Sequence, residues 1–272
     1  MTQTVGQQAK RIVNKHMQKV IILRIISIIL VTIWIIAYAF LIIDWITARS
    51  FQLLTAVIII FSLTSRTLKY ISILRIENIL QDRCDADLYT EVMRLLLKKD
   101  DSKRGTRILT IKKAKGLYFM GEFDEAYKLL QTVQLSNKKF HSTLEYYNIL
   151  ANCAKQRKNL DELRRIFELI KLLTLNTKDG SQKRVTAEEI LQIITANIEL
   201  LQEEYQKSRE STLNMKIETS LQKISYYSRL MLLAAKFGEE SSAKSYAEYV
   251  VKYGNRTYFV AEAKTFLEGL AK

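Results

Sequence analysis

His16 and His141 are the first candidates for proton transfer, because imidazole is the side chain that titrates unaided near neutral pH. Neither stands in a motif. His16 lies in AKRIVNKHMQK, among basic residues, where a headgroup-facing position is expected; His141 follows Lys138-Lys139-Phe140 at an expected helix start. The sequence contains no HExxH, GxSxG, GxxxxGK[ST] or GxGxxG. The acidic pairs Glu188-Glu189, Glu203-Glu204 and Glu239-Glu240 are adjacent, so on a helix their carboxylates diverge instead of forming a dyad. They suit solvated faces and helix starts, where negative charge is favoured. Cys84 and Cys153 lack zinc-site spacing and read as two buried thiols in a reducing compartment, with one long-range bridge as the alternative. An enzyme is not expected, and neither a metal nor any other cofactor is implied.

With 42 Lys and Arg against 28 Asp and Glu, the chain carries a formal charge of +14 and calls for an anionic neighbour. Basic clusters occur at Lys112-Lys113-Ala114-Lys115, Lys138-Lys139, Lys155 to Lys158 and Arg164-Arg165, with Tyr118, Phe119, Tyr146 and Tyr147 among them. These aromatics fall at helix-packing spacing, and no nucleic-acid motif accompanies them, which argues against a nucleic-acid partner. There is no proline and only 8 glycines, and Leu, Ile, Lys and Glu abound, so an all-α chain is expected.

The elements begin with IISIILVTIWIIAYAFLII, Ile25 to Ile43, a stretch without charge. At 1.5 Å per residue it covers about 28 Å, enough for a hydrocarbon core of roughly 30 Å. It is longer than a signal-peptide core and is followed by no small-residue cleavage site. A second uncharged segment, FQLLTAVIIIFSLTS (Phe51 to Ser65), spans if it borrows the following turns while Arg66 and Lys69 snorkel; the alternative is a re-entrant or interfacial helix. DWITARS between them leaves room for a tight turn with Trp45 at the interface. Basic residues flank the pair: Lys10, Arg11, Lys15, Lys19 and Arg24 before it, Arg66, Lys69, Arg75 and Arg83 after it. The positive-inside rule puts both termini in the cytoplasm of a bacterial-type inner membrane. These basic residues serve topology first and anionic-lipid contact second. The expected domains are a basic segment 1–19, a transmembrane hairpin 20–74, a helical neck 75–84 and a cytoplasmic helical domain 85–272.

Within that last domain, KGLYFMGEFDEAYKLLQTV sets Ala114 and Leu117 before a turn at Gly121, and Phe123, Ala126, Leu130 and Val133 after it. Tyr147, Leu150, Ala151 and Ala154 precede Lys158, and Leu160, Leu163, Phe167 and Ile170 follow. Tyr227, Leu230, Met231 and Ala234 precede Gly238, and Ala243, Ala247 and Val250 follow. This spacing resembles the tetratricopeptide repeat, a helix–turn–helix unit of about 34 residues. The resemblance covers about half the chain and implies an α-solenoid. Its implied packing residues are Ala114, Gly121, Ala126, Ala151, Ala154, Leu163, Ala234, Gly238 and Ala243. Lys158 takes a glycine site, Leu163 a small-residue site and Glu240 an aromatic site; Thr186 to Lys223 is helical without an alignable match. TYFVAEAKTFLEGL (Thr257 to Leu270) is expected to cap the stack, giving about eight or nine helices from Asp85 onward.

A solenoid of this kind implies a concave groove for a protein or peptide partner. The first helix of each unit would line it, with Lys112, Lys115, Tyr118, Phe119, Tyr146, Asn148, Asn152 and Lys155. The expected function is a membrane-anchored scaffold or adaptor. The alternatives are a peptide-sensing regulator and a structural, membrane-shaping hairpin protein. Oligomeric state is not encoded legibly.

Overall fold

The computed structural model describes residues 4–43, 45, 47–100, 102–135 and 140–270. Among them the chain is all-α, with twelve helices and no strand. It divides into two units, residues 1–78 and 79–272.

The first unit holds α1 (Val5–Ile42) and most of α2 (Ala48–Gln81). Thr4 starts α1: its hydroxyl accepts the Gln7 N–H, while the Gln7 side chain accepts the Thr4 N–H, satisfying two orphan donors reciprocally. The two helices run antiparallel. His16 Nδ1 and Ser72 Oγ share a 2.8 Å hydrogen bond towards one end. Trp34 Nε1 donates to Thr55 Oγ1 at 3.0 Å towards the other, where the Trp34 and Tyr38 rings lie against Phe51. Both helices are long and apolar enough to cross a membrane, and no residue in the most apolar window of α1 is buried. A core helix of the same composition would be covered. Three hydroxyls inside the apolar stretches are satisfied within their own helices: Ser27 donates to the Leu23 carbonyl, Thr32 to Ile28 and Thr64 to Ile60. The basic N-terminal segment is helical from Val5, continuous with the apolar stretch, and the second apolar segment runs on into the neck as one helix as far as Gln81. Asp44, of the expected loop, lies outside the described residues.

The second unit contains α3 (Ala86–Leu97), α4 (Lys103–Met120), α5 (Phe123–Gln131), α6 (Phe140–Gln156), α7 (Leu160–Leu175), α8 (Gln182–Leu201), α9 (Tyr205–Leu213), α10 (Ser220–Lys236), α11 (Glu240–Tyr253) and α12 (Tyr258–Leu270). These are ten helices among the described residues, more than the sequence suggested. Four of its turns share one geometry. Gly121, Lys158, Glu203 and Gly238 all have positive φ. In each case the next residue donates its N–H to a carbonyl five positions back: Glu122 to Leu117, Asn159 to Ala154, Glu204 to Glu199 and Glu239 to Ala234, all at 2.9 Å. This is the Schellman closure, which satisfies helix-end carbonyls and reverses the chain in minimal length.

These turns bring α4 against α5, α6 against α7, α8 against α9 and α10 against α11. Ala126, Leu163, Ser208 and Ala243 stand at equivalent places in the second helices, and Ala114, Ala151, Ala196 and Met231 in the first; all eight are essentially buried. The α8–α9 pair is therefore in register with the other three. It was unalignable because Glu203 stands at the glycine position and Ser208 at the alanine position. Ser208 tolerates burial by donating its hydroxyl to the Ala196 carbonyl at 2.8 Å.

The first helices of the pairs also contact one another: α4 touches α6, and α6 touches α8. The last helix packs on α10 and α11, the final pair, as a cap would, and beyond that expectation it also returns to α4, which lies far upstream in sequence. The α11–α12 turn fastens this closure. Arg256 N–H donates to the Cys84 carbonyl at 3.2 Å, and Asn255 Nδ2 donates to the Arg83 carbonyl at 2.8 Å. The cause is chemical: Tyr258 and Phe259 open α12 with two large apolar faces, and α4 offers Tyr118 and Phe119 to cover them.

Candidate functional site

An interior cleft of ≈ 300 Å³ opens along α4, α6, α8, α10 and α12, with Gln81 and the α9–α10 connection (Met215 to Ile217) completing its wall. Six of the eight residues expected in a groove line it: Lys115, Tyr118, Phe119, Asn148, Asn152 and Lys155. Lys112 stands beside it, its ammonium 3.6 Å from Glu145 Oε2, while Lys115 reaches Glu145 Oε1 at 3.3 Å; both pairs tie α4 to α6. Tyr146 is buried, edge-on to Tyr147, and is not part of the wall.

Part of this face is occupied by the chain itself. Tyr118 and Tyr258 share a buried hydroxyl–hydroxyl hydrogen bond of 2.8 Å, and Gln156 Nε2 donates to the Tyr258 hydroxyl at 3.0 Å. The Tyr258 ring sits edge-on to Tyr118 and to Phe123, and the Phe119 ring lies 6.2 Å from Phe259. Such aromatic pairs contribute about 0.5–1.5 kcal/mol each beyond the area they bury. Gly121 permits the approach: a Cβ there would come within 3.2 Å of the Tyr258 Cβ, and its φ of +92° already disfavours an L side chain. Tyr118 and Phe119 thus hold α12.

The deeper chemistry is cationic. Arg229 on α10 donates from Nη2 to Asn197 Oδ1 on α8 at 2.7 Å, linking the two helices, and makes a long contact to the Met215 sulfur. Among the described residues no carboxylate lies within ion-pair distance of Arg229 or of Lys155. Burial, followed by the Arg229 charge, pushes the Lys155 ammonium down to about 8, against the weaker pull of Glu262. Burial likewise lowers Arg229 to about 10, opposed by Tyr118, Tyr258 and Glu199. Asn197 is 1% exposed, and its Nδ2 has no hydrogen-bond partner among the described residues. Arg229, Asn197, Tyr258 and Phe259 were missed by sequence reasoning, because they belong to the unaligned unit, to an unassigned face of α10 and to the supposed cap. The shared interval from Ala114 to Ala126, Ala151 to Leu163 and Ala196 to Ser208 was the signal that could have placed Asn197.

The remaining candidates are distributed as follows. Ala154 and Ala234 are buried, and Gly238 has φ +72° with open space around it. Cys84, in the α2–α3 connection, and Cys153, on α6, are free, buried thiols, and burial raises them to about 11 and about 12. His141 begins α6, edge-on to Phe140; Lys138 and Lys139 lie outside the described residues. Lys15, Lys19 and Arg24 are on α1, and Arg66 and Lys69 on α2. Among the described residues no group of three or more His, Cys, Asp or Glu is placed to hold a metal ion. No family model, no curated protein and no solved structure matches this chain.

Proposed function

We propose that the chain is a membrane-anchored interaction protein. α1 and α2 would span the cytoplasmic membrane twice with both termini inside, and the helical unit would recruit a protein or peptide partner to the membrane surface. Confining a partner to that plane raises its effective concentration for a second, membrane-bound component. One observation carries the reading: two helices that are apolar and uncovered are joined in one chain to four helix pairs in common register. That register supports the tetratricopeptide-like resemblance, and arrays of this kind work by presenting surface. Charge bias around α1 and α2 supports the orientation.

The position of α12 favours a regulated form of the same function, in which a partner competes with α12 for α4. The test is crosslinking in membranes with the full chain as bait. The expected result is a stoichiometric partner whose yield rises when Tyr258→Ala loosens α12. Recovery of no stoichiometric protein from either form would overturn the adaptor reading. A membrane-shaping role predicts instead that an unrelated two-span anchor in place of residues 20–65 abolishes function.

A further inference from the structure

The interior cleft has a surplus of donors. Lys155 supplies three N–H groups and Arg229 five, yet among the described residues the hydrogen bond to Asn197 Oδ1 and the long sulfur contact are the only ones that either makes. Asn197 Nδ2, buried beside Arg229, donates to nothing among the described residues. The Tyr118 and Tyr258 hydroxyls are engaged with each other and with Gln156, so they offer little relief. Glu145 is taken by Lys112 and Lys115, and Glu189 faces Lys216 at 3.8 Å. Glu262, the carboxylate whose charge reaches Lys155, is an exposed residue of α12. Glu199 on α8 acts on Arg229 through its charge, and its Oε2 is buried without a hydrogen-bond partner, but among the described residues it forms no ion pair with either cation. Holding two half-buried cations in the cleft wall without an ion-pair partner is costly, and the cost falls when an anion with free lone pairs enters.

Walls and size narrow the class. Around the donors stand Ile149, Ile190, Ile193, Leu232, Phe119 and Phe259. Asn148, Asn152, Gln192, Gln222 and Ser225 also line the cleft, so the apolar side chains suit an apolar body and the amides and hydroxyl add polar contacts around it. A volume of ≈ 300 Å³ lies at the lower end of the range for small-molecule pockets, about 300–1,000 Å³. With α12 seated, no room remains for a partner helix at this point. We infer that the cleft is a binding site for a small organic anion, a phosphate or carboxylate head on an apolar body, with the head between Lys155, Arg229 and the Asn197 amide. This site is independent of protein recruitment: it is built by five helices of one unit and needs no second chain.

The test uses the full chain in a neutral detergent, with thermal unfolding as readout and phenyl phosphate, benzoate and inorganic phosphate as probes. Benzyl alcohol is the uncharged control. A ligand bound only by the folded state at one hundred times its Kd stabilises by about 2.7 kcal/mol, which raises Tm by roughly 5–10 °C in a unit of this size. The expected result is a saturable rise with phenyl phosphate or benzoate, a smaller one with inorganic phosphate, and none with benzyl alcohol. Lys155→Met should shift the titration to at least tenfold higher probe concentration without lowering the probe-free Tm. Arg229→Lys, which keeps the charge but loses the fork, should weaken binding less and serves if Lys155→Met fails to fold. Dioleoyl phosphatidate in mixed micelles separates sources: competition with phenyl phosphate assigns the head to a lipid, and its absence assigns it to a free metabolite. No saturable rise with either organic anion means that water alone fills the cleft and overturns the inference. So does an unchanged titration in both variants.

Discussion

Lys155 carries its charge in the wall of the cleft, held down to about 8 by burial and by Arg229, whereas in the unfolded chain it titrates near 10.5. Below pH 8 both states are protonated, so the folded state bears the whole cost, on the order of 3 kcal/mol at most. Between 8 and 10.5 the unfolded state binds more protons, and stability therefore rises with pH. Arg229 on α10, Glu262 and Tyr258 on α12 and Tyr118 on α4 are the charged and titratable groups that bear on this step. The thiols act in the opposite sense. Cys84 and Cys153 are raised by burial, so above about pH 9 the unfolded chain loses protons that the folded chain keeps. Denaturant titrations of the full chain should show stability climbing from pH 7.5 to about 9 and then declining. Lys155→Met should remove the climb and raise stability at pH 7 by about 1–3 kcal/mol, because an unpaired buried charge is exchanged for an apolar side chain of similar length. A second residue-scale prediction concerns the tyrosine pair. Tyr118→Phe should cost about 1–2 kcal/mol by leaving the Tyr258 hydroxyl short of a partner, and Tyr118→Phe with Tyr258→Phe should cost less than the sum of the two singles.

Among the elements, the same turn is built at four positions from three residue types, and that explains what the sequence could and could not reveal. Gly121 and Gly238 announce their turns, since positive φ is natural for glycine. Lys158 and Glu203 adopt it too, at about 1–2 kcal/mol each, and so look like ordinary helix surface in a one-dimensional reading. The all-α class, the long apolar helices and three of the pairs were legible from spacing and small residues. The α8–α9 pair was hidden by Glu203 and Ser208. The destination of α12 was hidden because nothing local in TYFVAEAKTFLEGL says which distant helix will cover its aromatics. Most of the expected groove residues do face one cleft, since helical phase alone sets which side they share; that Tyr118 and Phe119 are spent on α12 required the closed structure. A paired substitution separates the two roles of glycine. Gly121→Ala and Gly238→Ala both suffer the positive φ, but only Gly121 meets a neighbour, the Tyr258 Cβ at 3.2 Å. Gly238→Ala should cost about 1–2 kcal/mol. Gly121→Ala should cost more, and the excess should vanish in a Tyr258→Gly background, which removes that Cβ, when both are compared by denaturant midpoint.

At the scale of the whole molecule, one unit is apolar and uncovered and the other is a closed circuit of helices with a cationic interior. Because α12 touches both α10 and α4, the helical unit should unfold cooperatively, and truncation before Tyr258 should broaden the transition as well as lower its midpoint. The anchoring claim predicts that the chain stays with membranes in alkaline carbonate and leaves them only in detergent. The central claim, two spans with the helical unit on the inner side, is open to a direct accessibility measurement, because both native thiols are buried and give little background. Single cysteines are introduced at exposed positions, Trp45→Cys in the connection and Lys264→Cys on α12, and intact cells are treated with a membrane-impermeant maleimide. Position 45 should label from outside, and position 264 only after the membrane is opened. Labelling of position 264 in intact cells, or protection of position 45 in both conditions, would contradict the account.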